Sequence, residues 1–121
     1  MKKVLKALKD EFKLMNLPYE FDNWESELKL PYFVGEISEV PTLDEDGKRE
    51  FDFKLTGEDV ETYSQLLDYS ESLRKRYEYG HSVLIDGGVI KIIYENTIPV
   101  PVEDENVKRI QINITVYLWE G

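Results

Sequence analysis

Apolar positions along the chain recur with two periods, and the switches between them outline the elements. Val4, Leu5, Leu8, Phe12 and Met15 return every three to four residues at most, which predicts a helix with one apolar stripe and lysines on its other faces. Leu17-Pro18 ends it, and lysines at its amino end oppose the helix dipole. Residues 19–30 show no period, with Tyr19, Phe21 and Trp24 set among acids, and are expected to be irregular. Pro31 to Val40 predicts a strand that starts behind a proline. Glu50 to Thr56 alternates strictly, with Phe51, Phe53 and Leu55 on one face of a half-buried strand. Between them Pro41, Asp44, Glu45, Asp46 and Gly47 supply turn chemistry. The pair is therefore expected to form a hairpin whose long acidic tip is mobile in the free protein and orders on assembly.

A second helix is predicted from near Thr56-Gly57-Glu58-Asp59, with Thr56 or Asp59 as its cap and the early acids favouring its positive end. Val60, Tyr63, Leu66, Leu67, Leu73 and Tyr77 follow at helical spacing, and Gly80 provides the stop. Strands then follow: His81 to Asp86, a Gly87-Gly88 turn, and Val89 to Glu95. Pro99 and Pro101 remove ladder donors, so 96–102 is an edge or a bulged stretch. In the last strand, Val107 to Trp119, Ile110, Ile112, Ile114, Val116 and Leu118 face one way. Arg109, Gln111, Asn113, Thr115 and Tyr117 face the other, and Trp119 shares their parity. The order α-β-β-α-β-β-β, without repeat or linker, predicts one α+β domain over 1–121, an antiparallel meander with two helices packed on it.

Composition narrows the function classes. The chain has 121 residues, 41% of them hydrophobic and 33% charged, which is enough apolar content for a core. It contains no cysteine, so disulfides and thiolate metal sites are excluded. No apolar run suits a signal peptide or a bilayer span, so cytosolic residence without membrane contact is expected. The net charge of −10 argues against binding nucleic acid through its phosphates. The charge is uneven: residues 1–9 carry four Lys and no acid, while 10–61 carry sixteen acids against five bases. That layout suits head-to-tail contact between copies, or docking to a basic partner, or simply a solvated acidic surface.

Candidate chemistry is sparse. His81 is the lone histidine, which removes His-pair metal sites, and its position is that of a surface residue at a strand entry. Asp44-Glu45-Asp46-Gly47 invites a calcium-loop reading, but such a loop would need an acid at Thr42 and a Glu at Phe53, so a hairpin tip accounts for it better. Asp86-Gly87-Gly88 is a turn, with neither the lysine nor the helix of a phosphate loop. Arg74-Lys75-Arg76 complements a helix carboxyl end. No catalytic, cofactor or metal site emerges, and no enzymatic role is expected. Out-facing Tyr117 and Trp119, with Trp24 and the acidic Asp44, Glu45 and Asp46, are the candidate interface residues. A helix covering the second sheet face would account for the aromatics equally well.

The lysine-flecked first helix, Pro31-Tyr32-Phe33-Val34, the polar hairpin, the Tyr63-to-Tyr77 helix and the closing strand from Arg109 to Trp119 form a recognisable layout. It resembles the tail terminator and tail completion proteins of long-tailed bacteriophages and prophages. The resemblance covers nearly the whole chain and lies in element order and size, with no diagnostic short motif. It implies a structural protein, present in the cytoplasm during assembly and then in the virion tail. Such a protein closes the tail tube as a homo-oligomeric ring, usually a hexamer, and meets the head connector. The acidity and the break at Pro99-Val100-Pro101 have no counterpart in that family. From the residues alone, the rival is an acidic immunity or inhibitor protein that fills a basic site on its partner.

Overall fold

A computed structural model describes residues 1–22, 29–41 and 47–120. The elements run α1 (Lys2–Leu14), β1 (Tyr19–Phe21), β2 (Tyr32–Val40), β3 (Lys48–Val60), α2 (Ser64–Tyr77), β4 (His81–Ile85), β5 (Gly88–Val100) and β6 (Val107–Glu120). The class is α+β, with six strands in one sheet ordered β1-β2-β3-β6-β5-β4. The expected meander needs correcting in two ways. Tyr19–Phe21, within the stretch expected to be irregular, is a short strand that pairs parallel to β2, so the sheet is mixed. The chain also leaves β3 through α2 to the far edge of the sheet and returns through β4 and β5, so β6 comes to lie against β3. The hairpin residues 42–46 lie outside the described residues.

Strand β3 runs further than its alternation predicts and takes in the expected start of the second helix. Thr56 pairs with Gln111 and Asp59 with Lys108, so neither caps a helix. Helix α2 begins at Ser64 instead, with no acid in its first turn, and the Thr62 hydroxyl accepts from the Ser64 N–H at 3.1 Å. The cause lies at Gly57. It sits opposite Phe33 in the β2–β3 register, and a Cβ there would fall 2.4 Å from the Phe33 ring. The bare glycine accepts that ring, and pairing on both sides holds the backbone extended.

The core lies between the sheet and both helices. Phe33, Phe51, Phe53, Leu55, Ile90, Ile92 and the even residues Ile110 to Leu118 of β6 are buried beside Val4, Leu8, Phe12, Leu66, Leu73 and Tyr77. The stripe expected on α2 shifts accordingly. Leu66, Ser70, Leu73 and Tyr77 point inward, whereas Leu67 is exposed and Val60 belongs to β3. On β5 the bulge falls between Tyr94 and Asn96, ahead of the stretch expected at 96–102, and residues 96–100 pair regularly with β6, Pro99 with Ile110.

Helix α1 packs against both β1 and β4, the outermost strands of the sheet. Its amino end meets the β4–β5 turn, where Lys3 Nζ reaches Asp86 O at 3.0 Å. Its carboxyl half meets His81 on one side and Tyr19 on the other. The sheet is therefore curled, and α1 lies along the seam between its edges, which blunts both of them. The lysines at its amino end find distant compensation, since Lys3 pairs with Glu120 at 3.0 Å.

Candidate functional site

Because α1 and α2 occupy one side of the sheet, the outward residues of β2 to β6 form a second face that no described element covers. Parity along β6 places Tyr117 and Trp119 there, as their alternation predicts. Both are half-buried, with ring centroids 6.0 Å apart. Lys48 Nζ stands 4.7 Å from the Tyr117 ring centre. The register sets Trp119 between Lys48 and Val89, and Tyr117 between Glu50 and Lys91. Leu84 pairs with Val89 and is 87% exposed. One end of the face is thus an apolar, aromatic patch with Lys48, Lys91 and Glu50 around it. The covering helix that could have accounted for the aromatics is not found among the described residues.

Two residues further along β6 the chemistry reverses. The bulge at Glu95 and the twist of the strands leave a concavity of about 440 Å³ lined by Glu36, Asp52, Lys54, Glu95, Asn113 and Thr115, among others. Lys54 is 3.6 Å from Glu36, so Asp52 and Glu95 supply the charge that no ion pair among the described residues offsets. An amide ladder crosses the rim, with Gln111 Nε2 donating to Asn113 Oδ1 at 2.9 Å and Asn113 Nδ2 donating to Asn96 Oδ1 at 2.7 Å. Thr115 is 9% exposed, and its hydroxyl makes no hydrogen bond to another described residue.

The helix side holds a constellation that the sequence reading missed. Glu11 is buried on α1 and accepts from the Tyr77 hydroxyl at 2.7 Å and from Arg76 Nε at 3.0 Å, with His81 Nε2 at 3.7 Å. Burial pushes the Glu11 carboxyl up, but hydrogen bonds from Arg76 and Tyr77 and the Arg76 charge outweigh it, and its pKa is lowered. Burial first, then the bond to Glu11, drives the Tyr77 phenol above its ordinary range. These groups satisfy one another and tie α1 to α2 and β4, which is the chemistry of a structural clasp. His81 does open β4 at the surface, and its ring also reaches this clasp. Arg76, expected only to complement the helix end, closes it. The signal was available in Glu11 itself, an acid set beside Leu8 and Phe12 on the apolar stripe.

Trp24, Asp44, Glu45 and Asp46 lie outside the described residues, so of the candidate interface residues the structure brings together Tyr117 and Trp119. Among the described residues, no three His, Asp or Glu side chains are placed to hold a metal ion, and no helix is long and apolar enough to cross a membrane. Compared with known proteins, the chain matches no family model and no curated protein sequence.

Proposed function

We propose that this protein is an assembly component that self-associates through the helix-free face of its sheet, serving as a ring-forming tail completion protein of a phage or prophage. One observation carries the reading: an outward sheet face bearing Trp119, Tyr117 and an 87% exposed Leu84. Contiguous apolar surface of this kind marks protein interfaces, and Trp and Tyr are the usual anchors. The layout of the elements supports placing the assembly at the end of a tail tube. Sedimentation velocity from micromolar to millimolar concentration tests it, with Trp119→Ala beside the parent. Concentration-dependent association that the substitution weakens is expected. A parent that stays monomeric throughout refutes self-association.

The acidic concavity favours a second reading, an inhibitor that receives a basic side chain of its target between Asp52 and Glu95. In that case the parent is monomeric, and a purified basic partner protein is held through those two carboxylates.

A further inference from the structure

The concavity on the open face is lined by three carboxylates against one lysine. Glu36 holds that lysine, Lys54, at 3.6 Å, whereas Asp52 and Glu95 form no ion pair among the described residues. The two free acids stand on either side of β6. Asp52 pairs with Thr115 across the β3–β6 ladder, and Glu95 occupies the bulge between the β5 partners of Ile114 and Asn113. Two strand spacings, about 10 Å, separate their backbones. Thr115 lies between them, 9% exposed, and its hydroxyl has no partner among the described residues. No side-chain polar atom closed off from solvent goes unpaired among those residues, so this hydroxyl is open to solvent, and it opens into the concavity that Thr115 lines.

We infer that this concavity binds a primary alkylammonium group, held by Asp52 and Glu95 from its two sides and by the Thr115 hydroxyl from its floor. An ammonium carries three N–H donors that point apart, and here three acceptors stand on three different strands. A guanidinium is a planar fork that favours the paired oxygens of one carboxylate, which is a poorer match to acceptors spread this way. A metal ion needs ligands drawn closer still, and among the described residues no three acids are so placed. The alkyl stem has apolar surface beside it, since Ile93 pairs with Thr115 on β5 and Tyr117 follows two residues on, roughly 7 Å away at about 3.4 Å per residue. The group has two possible sources. One is a lysine side chain of a partner, in which case the inference rests on the inhibitor reading above, and the other is a free diamine. Neither depends on self-association.

Amide chemical shifts of the isotope-labelled protein, followed at constant ionic strength, test this with n-butylammonium, n-butylguanidinium and tetramethylammonium as probes. n-Butylammonium is expected to shift the amides of Asp52, Glu95 and Thr115 saturably. It should bind at least about fivefold more tightly than tetramethylammonium, which has the charge without the N–H donors. Asp52→Asn and Glu95→Gln should each weaken it about tenfold and Thr115→Val about fivefold, while Thr115→Ser restores the hydroxyl and the affinity. Glu50→Gln, beside Tyr117 and outside the concavity, should change little. Absence of a saturable shift, tetramethylammonium bound as tightly, or a Thr115→Val protein with parental affinity overturns the site. n-Butylguanidinium bound as tightly overturns the ammonium assignment and leaves the inhibitor reading standing. Cadaverine and a lysine capped at both backbone ends separate the sources. Capped lysine as tight as n-butylammonium assigns the site to a partner's lysine, whereas cadaverine about tenfold tighter than either assigns it to a free diamine and removes the inhibitor reading. Should Thr115→Val fail to fold, Asp52→Asn and Glu95→Gln are read against Glu50→Gln, and equal losses in all three reduce the effect to general charge and overturn the site.

Discussion

The ring of Phe33 lies over Gly57 on the neighbouring strand and occupies the volume that a side chain there would need. The contact seats a fully buried aromatic at the β2–β3 pairing and holds β3 extended past the point where its sequence suggests a helix. Gly57→Ala is therefore expected to destabilise the protein by about 1–3 kcal/mol, the usual cost of overpacking a filled core. Chemical denaturation measures it. An unchanged midpoint would mean that the ring has room to move.

Strand β6 carries the severest single substitution. Ile112 and Ile114 are 0% and 1% exposed on the strand that joins the two halves of the sheet. Ile112→Asp buries an unpaired charge there and is expected to unfold the domain, a loss of more than about 4 kcal/mol. A cooperative thermal transition near that of the parent would contradict the placement.

The clasp on α1 gives the stability curve two pH flanks. The Glu11 pKa is depressed from 4.5, so the folded state binds its proton less readily than the unfolded chain. Its contribution is full above that value and is lost as pH falls through the folded pKa. At neutral pH Glu11→Gln is expected to cost about 1–3 kcal/mol, because Arg76 and Tyr77 lose a charged acceptor. The gap from the parent should narrow at pH 3. Tyr77 shifts the other way, raised from 10.0, so its contribution is full below that value and declines as pH rises above it. Tyr77→Phe should flatten the alkaline flank. Denaturation midpoints from pH 3 to 11 for the three proteins decide both.

Self-association should strengthen with salt. Each copy carries −10, and general repulsion is screened over a Debye length near 8 Å at about 0.15 M. Local ion pairs weaken too, but an exposed pair contributes only about 0–1 kcal/mol. Trp119→Ala should cost ~2 kcal/mol of association, roughly thirtyfold in dissociation constant. Sedimentation at low and high salt reads both effects, and association that falls with salt would assign the affinity to ion pairs instead.

Much of this fold was legible because its signals are local. The even positions of β6 and the stripe of α1 show their burial in spacing alone. What stayed hidden depends on distant partners. Gly57 looks like helix-start chemistry until Phe33 is set across from it. Tyr19–Phe21 is too short to register as a strand, and it exists because β2 offers an edge. Arg76 looks like a dipole complement, and only the folded chain brings it to Glu11. At the open face, parity identified Tyr117 and Trp119. The acidic concavity beside them could not be read, because it joins β2, β3, β5 and β6 with a bulge whose position the prolines only hinted at.

The same crossing that sets β6 between β3 and β5 has a consequence in time. β3 is among the early strands, yet its second neighbour, β6, is made only after α2, β4 and β5. Until β6 arrives, Phe51, Phe53 and Leu55 lie on a strand whose ladder groups are unpaired along one whole side, which is the condition that invites mispairing with other nascent chains. Closure across so long a separation also makes for slow folding. For this chain the vulnerable moment is synthesis.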